Sequence, residues 1–240
     1  MNIKELKNTL LSEYKYRTEL HAHTCPCSGC SQISPKEMVE TYKALNYDGV
    51  TITNHFLYQE GVSARDYVKG YLKDFEEALE LGKKTGIKVY LGAEIRFTEN
   101  CNDYLVYGVD EDIFVDIYNL LPMGVKYFRE NYKLPRGVFL QAHPKRNSME
   151  EVPPELLDGI EVFNLHPNHN SRVGVAAAYA GENDIKIRIA GSDFHHSGCG
   201  HEGLAAILSR ELPKDSFDIA ETLKRGDYLL EVGRSNIVIP

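Results

Sequence analysis

The sequence lacks the apolar runs that would place it in a membrane. None of its 240 residues lie in a stretch approaching the roughly eighteen uninterrupted apolar residues that a membrane-spanning helix needs. The N-terminal segment MNIKELKNTLLSEYKYR is charged and amphipathic, without the apolar core of a secretory signal peptide. These absences argue against a membrane protein and predict a cytoplasmic location.

An excess of positive charge is also missing. The chain has 27 Lys and Arg against 35 Asp and Glu, a formal net charge of -8 and an isoelectric point near 5.6. Affinity for duplex nucleic acid depends on neutralising phosphates, so a broad duplex-binding face is excluded. Local basic groups or bound cations remain able to receive a small anion.

Cysteine is scarce and odd in number. Of five cysteines, three crowd together at Cys25, Cys27 and Cys30, which is not typical of a disulfide framework in a chain of this size. A structural zinc site would need further ligands, which Cys101 or Cys199 would have to supply. We therefore interpret the cysteines as free thiols and keep a thiolate metal site as the weaker alternative.

No linker, low-complexity tract or internal repeat divides the chain, which predicts one domain over residues 1–240. Short β-rich runs alternate with longer helical patterns, as βαβ units around a parallel sheet do. We predict strands at 17–21, 49–53, 88–92, 137–141, 159–162 and 186–190, with two further runs at 203–208 and 228–232. Helices are predicted after the Ser34-Pro35 start signal and over 65–84, with Gly86 as the stop.

Histidines and acids fall at or just beyond the ends of these strands. They are His21, His23, His55, Glu94, His143, Asp193 and His195. Barrel enzymes build their active sites at the carboxyl ends of strands. An extended backbone also sends both imidazoles of His21-Ala22-His23 to the same side. The pattern predicts that these side chains converge in one pocket.

Imidazole and carboxylate donors suit zinc, manganese or iron. Because seven candidates exceed the four or five ligands of one ion, we expect two or three divalent ions, which would polarise a phosphoryl oxygen and activate water. Taken singly, His55 is more simply a hydrogen-bonded structural residue and Glu94 a buried partner of an arginine. Nine histidines would be an unusual way to fill a core, because each buried imidazole needs a partner.

Six motifs in order resemble the polymerase and histidinol phosphatase (PHP) superfamily of metallophosphoesterases. The sequence reads ELHAHT at 19–24, VTITNH at 50–55, GAEI at 92–95, QAHP at 141–144, HNSR at 169–172 and GSDFH at 191–195. The resemblance implies a distorted, TIM-like (β/α)7 barrel with a three-ion site. It implies a first ion held by His21, His23, Glu94 and Asp193. A second would be held by Glu94, His143 and His169, and a third by His55 and His195.

The sequence departs from the family pattern at two places. Where many members carry a further His or Asp ligand of the third ion, this chain has the segment CPCSGCS at 25–31, so Cys30 or a nearby oxygen is an alternative ligand. Asn54 stands where Asp is usual; we expect it to orient a ligand rather than bind metal.

Phosphate would need donors besides the metals, and guanidinium groups match its oxygens. Arg146 and Arg172 are the leading candidates, followed by Arg96 and Lys145. A surface ion pair is the simpler interpretation of each one. His166 and His196 are either exposed loop residues or groups that support the ligands and donate protons. His201 lies in the Gly-rich segment 197–203, which either flanks the pocket or is an ordinary exposed loop.

The predicted activity is hydrolysis of a phosphate ester, with His21, His23, Glu94, Asp193 and His195 as catalytic residues. A small phosphomonoester such as histidinol phosphate is the expected substrate; a nucleotide or a short nucleic acid end is the alternative. Two rivals from other classes are a non-catalytic metal-binding domain and a metal-dependent amidohydrolase on a similar barrel. No sequence feature indicates an oligomeric state.

Overall fold

The computed structural model describes residues 2–234 and 236–240, and within them twelve strands pair as two six-stranded sheets. The strands are β1 (Tyr16–Ala22), β2 (Gly49–Ile52), β3 (His55–Leu57), β4 (Lys88–Leu91), β5 (Ala93–Arg96), β6 (Asp103–Tyr107), β7 (Val138–Gln141), β8 (Gly159–Asn164), β9 (Ile187–Gly191), β10 (Ala205–Ser209), β11 (Tyr228–Val232) and β12 (Asn236–Val238). The helices are α1 (Ile3–Glu13), α2 (Pro35–Ala44), α3 (Ala64–Thr85), α4 (Glu111–Leu120), α5 (Gly124–Asn131), α6 (Val173–Glu182) and α7 (Ser216–Arg225). Short 3-10 turns follow α4 and precede β8, at Leu121–Met123 and Pro154–Leu156.

One sheet has the strand order β12-β11-β10-β1-β2-β4 and the other β3-β5-β6-β7-β8-β9. Parallel pairs join β1 to β2, β2 to β4, β3 to β5, β7 to β8 and β8 to β9. The remaining pairs are antiparallel. A bridge between Ala22 and Phe194 links the end of β1 to the segment after β9. The chain is therefore a mixed α/β fold with two sheets.

All eight predicted strands are confirmed, each within two residues at either end. The purely parallel sheet is wrong, because β5 and β6 are joined by only the short segment 97–102, whereas a parallel pair needs a crossover of a dozen or more residues. β3, β5, β6 and β12 were not predicted. β3 directly follows β2, and β5 directly follows β4. In the sequence, each of these two pairs looks like a single β-rich segment.

The two helix predictions are confirmed with their end signals. The Ser34 side chain accepts from Glu37 N, the Glu37 side chain accepts from Ser34 N, and Pro35 opens α2. Gly86 caps α3 with φ of 77°, a left-handed conformation that favours glycine. None of the described helices is long and apolar enough to cross a membrane.

Apolar clusters fill both sides of the strands. Phe56, Tyr71 and Phe114 form the centre of an aromatic cluster between β3, α3 and α4. A second cluster, including Tyr42, packs α2 against the first sheet. These layers fix the strands, so the residues at their carboxyl ends hold defined positions.

Candidate metal centre

The predicted ligands meet at one end of the sheets. His21 lies in β1 with His23 just after it, His55 begins β3, Glu94 lies in β5 and His143 follows β7. His143 and Asp193 have φ of 31° and 54°, which non-glycine residues adopt at a cost of about 1–3 kcal/mol each. Such strained backbone is common where side chains are held for function.

Four side chains form the tightest group. His21 Nε2 lies 3.0 Å from His23 Nε2, and both nitrogens lie 3.3 to 3.5 Å from the nearest oxygens of Glu94 and Asp193. Donors bound to one zinc-like ion at about 2.1 Å each cannot be more than about 4.2 Å apart, and all these distances fall within that limit. Among the described residues, His21, His23 and Glu94 have donor atoms close enough together for one common ion, and Asp193 lies beside both imidazoles.

Glu161 fixes the orientation of His21. Its Oε1 lies 2.8 Å from His21 Nδ1, and its Oε2 accepts from His143 N and Asn164 Nδ2, both at 3.0 Å. A carboxylate only accepts, so Nδ1 of His21 carries a proton and Nε2 offers its lone pair to the centre. This is the carboxylate–histidine pairing that commonly accompanies a bound metal.

His23 is oriented by a longer chain of hydrogen bonds. Its Nδ1 lies 3.3 Å from Ser28 Oγ, which donates to Asn54 Oδ1 at 3.0 Å. Asn54 Nδ2 donates to Thr24 Oγ1, which donates to Asp74 on α3. Asn54 thus holds Ser28, the hydrogen-bond partner of His23. This is the orienting role expected for Asn54, which stands where Asp is usual in the family.

Glu94 lies at the junction with the other ligands. Its carboxylate lies 2.9 Å from His143 Nε2 and 2.9 Å from His55 Nδ1. Asp103 comes within 3.8 Å of His143 Nε2 and is held by a two-point ion pair with Arg96 at 2.7 and 2.8 Å. His55, Glu94 and Asp103 have donor atoms close enough together for a second ion.

A third such group consists of His23, His55 and His195. The rings of His23 and His195 stack with centroids 4.2 Å apart. His195 Nδ1 donates to the backbone carbonyl of Asp193 at 2.8 Å, so in the neutral ring Nε2 keeps the lone pair. Cys30 lines the cleft beside His55 and His195.

The charge of this centre calls for cations. Among the described residues, Glu94, Asp103, Glu161 and Asp193 pair with two guanidinium groups, those of Arg96 and Arg146, which leaves two formal negative charges for protonated histidines or bound cations to balance. Burial acts to lower the pKa of His21, but the carboxylates of Glu161, Asp193 and Glu94 outweigh it and raise the pKa well above its usual value. For Glu94 burial is outweighed by nearby histidines, which lower its pKa.

The donor set fits divalent ions. The buried Nδ1 atom of His143 has no hydrogen-bond partner among the described residues, an arrangement that is costly unless a ligand satisfies it. Mixed imidazole and carboxylate donors suit zinc, manganese or iron. These ions would also compensate the excess negative charge.

A cleft of about 660 Å³ opens onto the centre. Arg146 reaches its wall, and its Nη2 donates to Asp193 Oδ2 at 2.6 Å and to Asn164 Oδ1 at 2.7 Å. The buried Nε of Arg146 has no partner among the described residues.

Comparison with known proteins identifies the family. The sequence profile of the PHP domain matches residues 19–171, which is more than half of the chain. This chain belongs to the PHP domain family. No curated protein sequence matches it significantly.

Two solved structures have a similar fold. A protein from Bifidobacterium adolescentis, provisionally described as a metal-dependent phosphoesterase, is 18% identical, with a TM-score of 0.52 over 87% of this chain and 96% of its own. A two-domain protein from Bacteroides vulgatus, described as containing a predicted PHP-like metal-dependent phosphoesterase, is 16% identical. Its TM-score is 0.61 over 91% of this chain and 65% of its own. At these identities the likeness concerns the fold.

Several predicted residues of the PHP domain stand apart from the centre. His169 is exposed on the cleft wall with its ring 4.5 Å from His166, and no close donor group of the described residues includes it. Arg172 bonds to Asn147 and does not line the cleft. Lys145 pairs with Glu151 at 3.0 Å. The assigned roles of His169 and Arg172 stay predictions.

The other histidines differ in exposure. His166 and His196 line the cleft. His201 is buried, and its ring centroid lies 5.6 Å from that of His166. Burial, with His169 nearby, lowers the pKa of His166 to about 4 despite the opposing effect of Asp193. His166 is therefore neutral at physiological pH, and because its Nδ1 accepts from Asn168 N at 3.2 Å, its Nε2 carries the proton.

Sequence reasoning missed Asp103 and Glu161. Glu161 is the one acid in the otherwise uncharged strand GIEVFN, and that isolation is a signal that could have revealed it. Asp103 begins DYLVY, a fully buried strand that was not predicted. Without that strand, its position beside Glu94 could not be inferred.

Proposed function

We propose that this PHP domain is a metal-dependent hydrolase that cleaves a phosphate monoester. The observation that carries the proposal is a buried set of histidines and carboxylates with excess negative charge, open to a cleft that is lined by two arginines. Bound divalent ions would supply Lewis-acid activation of water and of the phosphoryl group. Ligands to these ions would be His21, His23, His55, Glu94, His143, Asp193 and His195, with His169 as a further candidate.

The protein's own residues would position the substrate. Arg146 is tied to Asp193 and Asn164 through Nη2, so its planar group is held in place on the wall of the cleft. Arg172 is a second candidate if its bond to Asn147 opens. A preorganised donor of this kind contributes more in a cleft than in water.

A small substrate is favoured by the cleft. Its arginines are Arg96 and Arg146, and most other lining groups are histidines and neutral polar side chains. This lining offers little cationic surface for following a long phosphate backbone. We therefore favour a phosphomonoester of the histidinol phosphate class over a nucleotide or a nucleic acid end.

We infer a finer architecture for the fold as well. β2 runs on into β3 and β4 into β5, and the bridge between Ala22 and Phe194 lies at the opposite junction of the two sheets. These continuities support a distorted (β/α)7 barrel in which all the ligands lie at one end.

The test is hydrolysis of a panel of phosphomonoesters and short single-stranded oligonucleotides with Mn²⁺ or Zn²⁺. His21→Ala and Asp193→Ala should each lower the rate at least about a hundredfold while the circular dichroism spectrum stays unchanged. Glu40→Ala, on the exposed face of α2, is the control and should keep full activity.

Full activity in a folded, metal-analysed His21→Ala variant would refute the proposal. Wild-type protein that binds metal but releases no phosphate from any substrate would favour a non-catalytic metal-binding domain. Turnover of amide or lactone substrates alone would favour an amidohydrolase.

A further inference from the structure

We propose that Arg96 binds a second anionic group of the substrate, beside the phosphoryl group that is hydrolysed. The assignment rests on the proposed function, because it concerns the same cleft. It deepens that function by naming the substrate class: a small phosphomonoester whose alcohol part carries a carboxylate or a further phosphate. Arg96 lines the cleft together with Glu94 and His143 of the centre.

The position of Arg96 in β5 sets its distance from the centre. Arg96 is the last residue of this strand and follows Glu94 by two positions. Residues two apart in a strand point to the same side, and their Cα atoms are about 7 Å apart. Arg96 and Glu94 therefore face the same cleft, one step apart along the strand. An anion bound to Arg96 would thus lie beside a phosphoryl group at the centre and would not replace it.

Asp103 holds the guanidinium of Arg96 by one edge. The two residues lie directly opposite each other in the antiparallel pair of β5 and β6. Arg96 Nε donates to Asp103 Oδ1 at 2.7 Å, and Arg96 Nη2 donates to Asp103 Oδ2 at 2.8 Å. A guanidinium has five donor hydrogens in a planar fork, so Nη1 and the second hydrogen of Nη2 form another edge. That edge makes no hydrogen bond to any described residue, and Asp103 fixes its plane.

The exposure of the two side chains shows which edge the cleft can reach. The side chain of Asp103 is 4% exposed, whereas that of Arg96 is 37% exposed. Because the paired edge lies against a buried carboxylate, the exposure of Arg96 comes from the rest of the group. Two parallel N–H donors match two oxygens of a carboxylate or a phosphate. Arg96 therefore offers the cleft a preorganised two-point donor for one anionic group.

No other cation of the described residues is so well placed. Arg146 also lines the cleft, but its side chain is only 13% exposed and its Nη2 already makes two hydrogen bonds. Arg172 and Lys145 do not line the cleft. A second anionic group of a bound substrate would therefore find its partner in Arg96.

Three substrates with one carbon skeleton test the proposal. Glycerol 3-phosphate ends in a hydroxymethyl group, 3-phosphoglycerate in a carboxylate and glycerol 1,3-bisphosphate in a second phosphate. For wild-type protein with Mn²⁺, kcat/KM for at least one of the two anionic compounds should exceed that for glycerol 3-phosphate by about tenfold to a hundredfold. The anionic compound with the higher value identifies the group that Arg96 binds. Arg96→Met should remove this preference, whereas a purely structural role through Asp103 would lower all three values alike.

Arg129→Met is the matched control. Arg129 also donates to one carboxylate through two nitrogens, that of Asp158, and it does not line the cleft of the centre. This variant should keep the preference of the wild type. Equal kcat/KM values for all three compounds in the wild type, or a preference that survives in Arg96→Met, would overturn the proposal.

Calorimetric titration with the same compounds separates this proposal from the proposed function. If none of the three is hydrolysed, the proposed function fails for such substrates. Wild-type protein should still bind one of the anionic compounds at least about tenfold more tightly than glycerol 3-phosphate, and Arg96→Met should bind all three alike. Equal binding of the three compounds by unreactive wild-type protein would overturn the role of Arg96 as well.

Discussion

The Nδ1 atom of His21 lies 2.8 Å from Oε1 of Glu161, and neither side chain is exposed. The other oxygen of Glu161 accepts from the backbone nitrogen of His143. One carboxylate therefore orients an imidazole at the end of β1 and the backbone of a ligand that follows β7. Glu161 acts on the centre through these ligands, as a positioning residue.

Replacing Glu161 with Gln should weaken metal binding without unfolding the protein. The amide keeps the size of the side chain but removes the charge that holds His21 with its lone pair directed at the centre. We expect a fall in metal affinity of about tenfold to a hundredfold, measured by competition with a chromophoric chelator.

Glu155→Gln is the control, because Glu155 is an exposed residue of the turn before β8. It should leave metal affinity unchanged. An equal affinity for wild type and Glu161→Gln would show that His21 is oriented without this carboxylate.

Metal binding should release protons near neutral pH. Burial opposes protonation of His21 and His55, but neighbouring carboxylates raise the pKa of each well above 6.5 in the metal-free protein. An ion must therefore displace those protons, so affinity should fall as pH falls, by about tenfold per pH unit for each proton released. Metal affinity should become independent of pH only above the raised pKa values of these histidines.

Calorimetric titration of chelator-treated protein with Zn²⁺, in buffers of different ionisation enthalpy, counts the released protons. His21→Ala should release fewer protons than wild type. A binding enthalpy that does not vary with the buffer would contradict the prediction.

The sequence could predict the ligands better than the groups that hold them. His21, His23 and Glu94 could be found because they lie at or just beyond the ends of predicted strands, a position that the sequence alone shows. Glu161 bonds to a residue 140 positions away, so its role depends on how β8 and β1 are packed together. The exposure of His169 depends likewise on a loop without regular structure, whose course no residue periodicity determines.

Asn54→Asp should lower the stability of the protein and leave its metal content unchanged. Asn54 Nδ2 donates to Thr24 Oγ1 at 2.8 Å, and Thr24 in turn donates to Asp74. A carboxylate at position 54 loses this donor and brings a second negative charge towards Asp74, while its oxygen can still accept from Ser28. We expect a loss of about 1–3 kcal/mol in the free energy of unfolding, with metal content unchanged.

Urea unfolding monitored by circular dichroism would measure this loss, and metal analysis of the same sample would measure the content. Asn119→Asp, where the amide donates to Val115 O on the exposed side of α4, is the control and should change stability little. Loss of metal from a folded Asn54→Asp variant would mean that Asn54 affects the centre directly.

Gly191 should tolerate no side chain, because β9 passes close to the pair of His21 and Glu161. A Cβ atom at this position would lie 2.5 Å from the Cβ of His21 and closer still to Oε1 of Glu161. Gly191→Ala should therefore separate the pair and overpack the strands, which costs about 1–3 kcal/mol of stability. Metal affinity should also fall, by about tenfold or more, since the support of His21 is displaced.

Gly181→Ala provides the comparison, because a Cβ there meets no atom within 4 Å. Gly181 lies in helix α6, where alanine is favoured over glycine by about 1 kcal/mol, so this variant should be as stable as wild type or more so. Thermal unfolding and metal titration of both variants separate the two effects. If Gly191→Ala lost stability but bound metal as wild type does, the contact between His21 and Glu161 would not be what sets metal affinity.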